Sequence, residues 1–263
     1  MHWGVCAGPE VVPAAFKAGL DYFEWTVSGY LQPLKELAEF EATLNQVTKT
    51  LLPCPVVNVF IPASLKITGP DADLSALDRY VDVTLRRARQ AGIQVIVFGS
   101  GGARRVPEGF SLIKAQAQLL EFGRMLGNKA REMGIAIAVE PLNRNECNIL
   151  NSVAECAEFV RAVDHPSVRL LVDAYHWAVE GESPEVIVEN GDLIIHAHIA
   201  TPINRLPPGG EEYDFRSFFQ SLHQARYRGR LSIEAKLPVA EEHDNLVAVL
   251  RQAIVEMKTL AIS

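Results

Sequence analysis

At 263 residues, 48% of them hydrophobic and 22% charged, the chain has the length at which one α/β barrel of about 250 residues closes, and it can bury a large core without disulfides or structural metals. A net charge of −7, with no basic block longer than the pairs Arg86-Arg87 and Arg104-Arg105, excludes a field that would gather nucleic acid. No run of about 18 apolar residues offers a membrane span, and Met1 leads into Trp3-Gly4-Val5-Cys6 without a basic leader, so neither a membrane segment nor a signal peptide is expected.

The first short apolar run covers residues 3–6 and is followed by a helical segment that Pro13 interrupts. A second run at 22–25 and a third at 56–60 come next, and then Leu74, Leu77, Val81, Leu85 and Ala88 recur at helical spacing. After a fourth run at 95–98 stands the segment Gly99-Ser100-Gly101-Gly102-Ala103-Arg104-Arg105. It lacks the GxxxxGK[ST] phosphate-cradling pattern and reads as a flexible rim loop. Gly134 ends the next helix, before a fifth run at 135–139. Ser152, with Glu155 three residues on, forms a capping box ahead of Ala157, Phe159, Val160 and Val163. The sixth run spans 168–172, Ser183-Pro184 opens a short helix of about two turns, and the last runs lie at 193–197 and 231–233.

The strands are almost continuously apolar, as when helices cover one face and a filled interior the other, so the sheet is expected to be parallel. Eight βα units in alternation, with no linker or change in composition, point to a (β/α)8 barrel spanning 1–263 as one domain.

Active sites of such barrels are built where strands stop at their C-terminal ends. The fifth run stops at Glu140, the sixth at Asp173, the seventh at His196-Ala197-His198 and the eighth at Glu234. Successive strand ends are neighbours, so these side chains converge. Three carboxylates brought together repel by several kcal/mol unless a cation sits between them, and three oxygen donors with one imidazole suit a divalent ion that keeps positions open for substrate oxygens. Mn²⁺ or Mg²⁺ fits this donor set best, ahead of Co²⁺ and Zn²⁺. His196 shares the inward face of His198 one layer deeper and reads as a hydrogen-bonded support. His176 and Arg205 lie just beyond strand ends, within reach of the site.

At these residues the chain resembles the xylose isomerase-like barrel superfamily of sugar isomerases and epimerases over essentially its whole length. Glu140-Pro141-Leu142-Asn143-Arg144-Asn145-Glu146, followed by Asn148 and Asn151, is similar to the strand-five signature of the ketose 3-epimerases related to D-tagatose and D-psicose 3-epimerase. Asp173-Ala174-Tyr175-His176, His196-Ala197-His198 and Glu234 resemble the segments that follow. The resemblance implies that Glu140, Asp173, His198 and Glu234 hold one metal ion, that Glu146, His176 and Arg205 contact substrate, and that Glu140 and Glu234 move a proton on opposite faces of a carbon through an enediolate. One segment departs from the pattern. Where the epimerases carry a Gly-Glu pair after the strand-seven histidine, this chain has Ile199-Ala200-Thr201-Pro202, with Arg205 displaced by one position, which bears on the identity of the sugar rather than on the metal.

The same chemistry also serves aldose–ketose isomerases acting on hydroxypyruvate or sugar phosphates, and inosose dehydratases. A phosphodiesterase resembling endonuclease IV needs further histidines, and the third and fourth runs end in Val59-Phe60 and Phe98-Gly99 without any. A non-catalytic binding barrel is the remaining alternative, since fold does not dictate activity. Cys6, Cys54, Cys147 and Cys156 show no CxxC spacing and read as reduced thiols, so the expected location is cytoplasmic. A small carbohydrate is the expected partner, and the resemblance implies a homodimer or homotetramer.

Overall fold

The computed structural model describes residues 1–262. Its β-branched and aromatic runs form eight strands that pair in parallel and in chain order, with the eighth returning to the first to close the barrel. In order, the chain runs through β1 (His2–Cys6), α1 (Val12–Ala18), β2 (Tyr22–Thr26), α2 (Val27–Tyr30), α3 (Leu37–Val47), β3 (Val56–Asn58), α4 (Leu74–Gln90), β4 (Val95–Phe98), α5 (Gly101–Arg104) and α6 (Leu112–Met133). It continues through β5 (Ala136–Val139), α7 (Val153–Val163), β6 (Val168–Asp173), α8 (Ala174–Glu180), α9 (Glu185–Glu189), β7 (Ile194–Ile199), α10 (Arg216–Gln224), β8 (Arg230–Ile233) and α11 (His243–Ile262).

Alternation along each strand divides the buried residues between two cores. One face, with Val5, Phe23, Val57, Ile96, Ile137, Val172, Ala197 and Ile233 among its residues, packs against the helical ring. The other fills the lumen with Tyr22, Val56, Val95, Val97, Ala138 and Leu171. Each large apolar side chain fully buried in either core contributes about 1.5–3 kcal/mol. Below the upper rim the barrel is a packed interior, so any ligand is confined to the mouth.

Several local features depart from the sequence expectations for identifiable reasons. Pro13 stands in the first turn of α1, where its missing N–H costs nothing, so it starts the helix rather than interrupting it. β3 stops at Asn58, short of residue 60, because Val59 turns into the left-handed region at φ 51°. The glycine-rich segment after β4 is not a loose loop: it forms the single turn α5, pinned by the fully buried Arg104, whose guanidinium donates to the carbonyls of Phe98, Glu140 and Leu150. α8 begins directly at the end of β6, capped by Asp173 itself. The Ser152 hydroxyl caps α7 as the box requires, but Glu155 accepts from the Asn151 N–H at 2.7 Å instead of from that of Ser152. Gly134 ends α6 in the left-handed conformation, as its position implies.

Candidate metal centre and active site

The inward face of each strand carries the lumen core upward to its last position. Two residues above Ala138 stands Glu140, above Leu171 stands Asp173, above His196 stands His198 and above Ser232 stands Glu234. The pairing register sets Asp173 directly beside His198, and His198 beside Ser232. One ligand atom from each of Glu140, Asp173, His198 and Glu234 falls within 4.8 Å of all the others. The four residues singled out at strand ends are therefore brought together.

Asp173 divides its two oxygens between two tasks. Oδ1 accepts from the Tyr175 N–H at 2.8 Å and caps α8, whereas Oδ2 is buried with no hydrogen-bond partner. His176 Nε2 stands 3.5 Å from it, too far for a good hydrogen bond, and a cation at this position would relieve the desolvation cost of the buried carboxylate. Burial, reinforced by Glu140 and Asp173, pushes the Glu234 carboxyl up to about 8 against the opposing pull of His198 and Arg205. Such crowding of carboxylates is what a divalent cation relieves, and three oxygens with one imidazole form a donor set that could hold one.

His198 is held through both ring nitrogens. Nδ1 lies 2.8 Å from Glu140 Oε1, and Nε2 lies 3.0 Å from Glu24 Oε1. Glu24 comes from β2 and is completely buried; its other oxygen takes hydrogen bonds from His196 Nε2 at 2.8 Å and Ser232 Oγ at 2.7 Å. Burial would raise the Glu24 carboxyl, but His198 and His196 outweigh it and hold the group well below the usual carboxylate range. Burial opposes the charged form of His198, and Glu24 overcomes it and raises the imidazole well above its ordinary value. His196, whose charge burial suppresses, is the support residue that its position implied. Cys6 Sγ stands 3.9 Å from His198 Nε2, so Cys6, Glu24 and His198 form a second set of potential ligands sharing the same imidazole.

The residues expected at substrate surround this centre. The His176 ring is buried, and its Nδ1 accepts from the Asn143 N–H at 3.0 Å, which leaves the ring proton on Nε2, 3.5 Å from Asp173 Oδ2 and not hydrogen-bonded to it. Arg205 donates to Glu234 Oε2 at 2.5 Å and to Glu146 Oε1 at 3.2 Å, with its guanidinium 4.5 Å above the Tyr175 ring. The shifted arginine thus reaches the site. Glu140, Glu146, Arg205 and Glu234 line one side of a cavity of about 310 Å³, and the ends of β3 and β4 line the other.

Sequence reasoning missed Glu24, Asn58 and Gly99. Glu24 had a legible signal: it is a lone charge inside the apolar run Tyr22-Phe23-Glu24-Trp25, on the inward parity set by Tyr22. Asn58 lines the cavity at the end of β3. A Cβ on Gly99 would stand 2.3 Å from Glu140 Oε2, so a side chain there would displace the carboxylate.

Residues 12–253 match the family described as xylose isomerase-like TIM barrel. Among curated relatives, L-ribulose 3-epimerase of Methylomonas sp. (strain DH-1) is 27% identical over 248 residues, 89% of this chain and 80% of that protein. The 3-dehydro-D-guloside 4-epimerase of Escherichia coli (strain K12) is 30% identical over 115 residues, 43% of this chain, and the aligned stretch spans 44% of that enzyme's length. The solved D-allulose 3-epimerase of Methylomonas sp. in complex with D-allulose superposes with a TM-score of 0.82 over 98% of this chain and 96% of its own, at 22% identity, a likeness of fold.

Proposed function

The chain belongs to the xylose isomerase-like TIM barrel family, and on that premise we propose that it is a metal-dependent sugar epimerase of the ketose 3-epimerase kind. The observation that carries the reading is the convergence of Glu140 and Glu234, from strands three places apart on the closed barrel, on one ion-sized position lined by Asp173 and His198. When bound, a divalent ion, Mn²⁺ before Mg²⁺, Co²⁺ or Zn²⁺, would acidify the C–H beside a ketose carbonyl and stabilise the negative charge that develops.

Everything else falls to the chain's own side chains. Glu140 and Glu234 would take a proton from one face of the carbon and return one to the other, which inverts the centre. Glu140 and Glu234 reach the same position from different sides of the barrel mouth, the placement that a pair taking and returning a proton needs. Arg205 keeps Glu234 and Glu146 in place at the mouth. His176 would offer its Nε2 proton, which stands 3.5 Å from Asp173 Oδ2 without hydrogen-bonding it, to a substrate oxygen. Glu146 and Arg205 complete the contacts to hydroxyl groups.

The four cysteines are unpaired, which suits a reducing cytoplasmic setting, and no helix is long and apolar enough to cross a membrane among the described residues. A homodimer or homotetramer belongs to the same reading and is checked by light scattering.

Incubation of the Mn²⁺-loaded protein with a panel of free ketoses in D2O, followed by NMR, tests the reaction. Deuterium at C3 with inversion supports epimerisation. Deuterium at C2 of an aldose product supports the isomerase alternative, and a panel left unchanged contradicts both.

A further inference from the structure

Across the lumen from β7, four strands away around the barrel, β3 ends at Asn58. Asn58 sits two residues above the lumen residue Val56, so its side chain belongs to the inward layer, and it lines the cavity that Glu140 and Glu234 line from the other side. The residue is buried, yet its Oδ1 has no hydrogen-bond partner. A buried carboxamide oxygen without a partner is costly, and folding alone gives no reason to keep one where an apolar residue would fit.

The next residue adds an independent observation. Val59 is β-branched but adopts φ 51°, a conformation that such side chains rarely enter, and it remains 55% exposed on the edge of the same cavity. Its neighbours force the turn. The Phe60 side chain is fully buried and its carbonyl accepts from Tyr80 Oη at 2.7 Å, while the Ile61 N–H donates to Ser100 Oγ at 2.9 Å. A strained residue over-determined by its surroundings and presented to a cavity is the pattern of a binding edge. This far wall, which continues through Pro62, Ala63 and Gly101, carries no charged side chain, in contrast to the acidic wall opposite.

We propose that Asn58 is a specificity-determining residue whose carboxamide binds a neutral hydroxyl of the substrate remote from the reacting carbons, with the Val59 side chain lying against the adjoining C–H surface. The proposal rests on the sugar-epimerase reading and deepens it: the end of the sugar remote from the reacting carbons is read by β3.

The test compares wild type with Asn58→Ala and the nearly isosteric Asn58→Leu on a ketohexose that the enzyme turns over and on its 4-, 5- and 6-deoxy analogues. Both variants are expected to lose about tenfold or more in kcat/KM on the parent sugar, the worth of one hydrogen bond. On one deoxy analogue the difference between variants and wild type should nearly vanish. Thermal stability should be unchanged or higher in Asn58→Leu, since an unpaired buried polar group has been removed, whereas a structural role for Asn58 would lower it. Equal losses across all four sugars, no loss at all, or a marked fall in melting temperature in Asn58→Leu would overturn the proposal while leaving the epimerase reading intact. A wild-type protein that processes none of the sugars overturns both together.

Discussion

Glu24 Oε1 lies 3.0 Å from His198 Nε2, so a carboxylate from the second strand backs an imidazole on the seventh and leaves Nδ1 facing Glu140. This contact fixes the ring's orientation and tautomer, and it increases the basicity of the nitrogen that would meet a cation. It also ties two sides of the barrel through a bond that neither strand's own neighbours supply.

Replacing Glu24 with Gln should therefore weaken Mn²⁺ binding by about 10- to 100-fold although Glu24 is not among the four converging ligands. Titration of free Mn²⁺ by electron paramagnetic resonance measures the change. Unaltered affinity would mean that the Glu24 contact does not orient His198.

Metal-free protein should lose stability as the pH rises from about 6.5 to about 8. Glu234 has a folded-state pKa raised to about 8 by burial, Glu140 and Asp173, so the folded chain keeps into this window a proton that the unfolded chain has already released. His198, raised by Glu24, works in the same direction: its contribution is fully present below about 6.5, the ordinary value for a histidine, and is lost as the pH climbs through its higher folded pKa. Glu24 is depressed and acts oppositely, its contribution being lost as the pH falls below the ordinary carboxylate value. His196, whose folded pKa burial lowers, works against Glu234 and His198 below about 6.5, so apparent melting temperatures of the chelator-treated protein should fall between about pH 6.5 and pH 8. Saturating Mn²⁺ should flatten the decline, because the ion replaces the displaced protons.

Arg104→Met should destabilise the fold by roughly 3 kcal/mol or more, since it strips buried carbonyls of Phe98, Glu140 and Leu150 of a charged donor. Urea denaturation at constant metal concentration checks the figure. A neutral substitution would show that α5 holds its place without the guanidinium.

The barrel was legible because hydrophobic periodicity is local: each of the eight apolar runs lies within a residue or two of a strand, and Asp173, His198 and Glu234 follow from counting to strand ends. What escaped depends on contacts between distant parts of the chain. Arg104 looked like a rim charge because its three carbonyl partners come from the ends of β4 and β5 and from Leu150, which no spacing rule connects. Val59 extended an apolar run by composition alone, and the turn that ends β3 is imposed by Phe60, Tyr80 and Ser100. Glu24 could have been found from a single charge on the inward parity of an apolar strand, but its partners lie more than 170 positions away.

Metal content of purified variants tests the central assignment most directly, because two ligand sets share His198. After dialysis against Mn²⁺, wild type and Cys6→Ser should each carry one ion per chain, and Asp173→Ala, Glu140→Ala and Glu234→Ala should carry essentially none. Full occupancy in these three alanine variants, or an ion lost only with Cys6, would contradict the account.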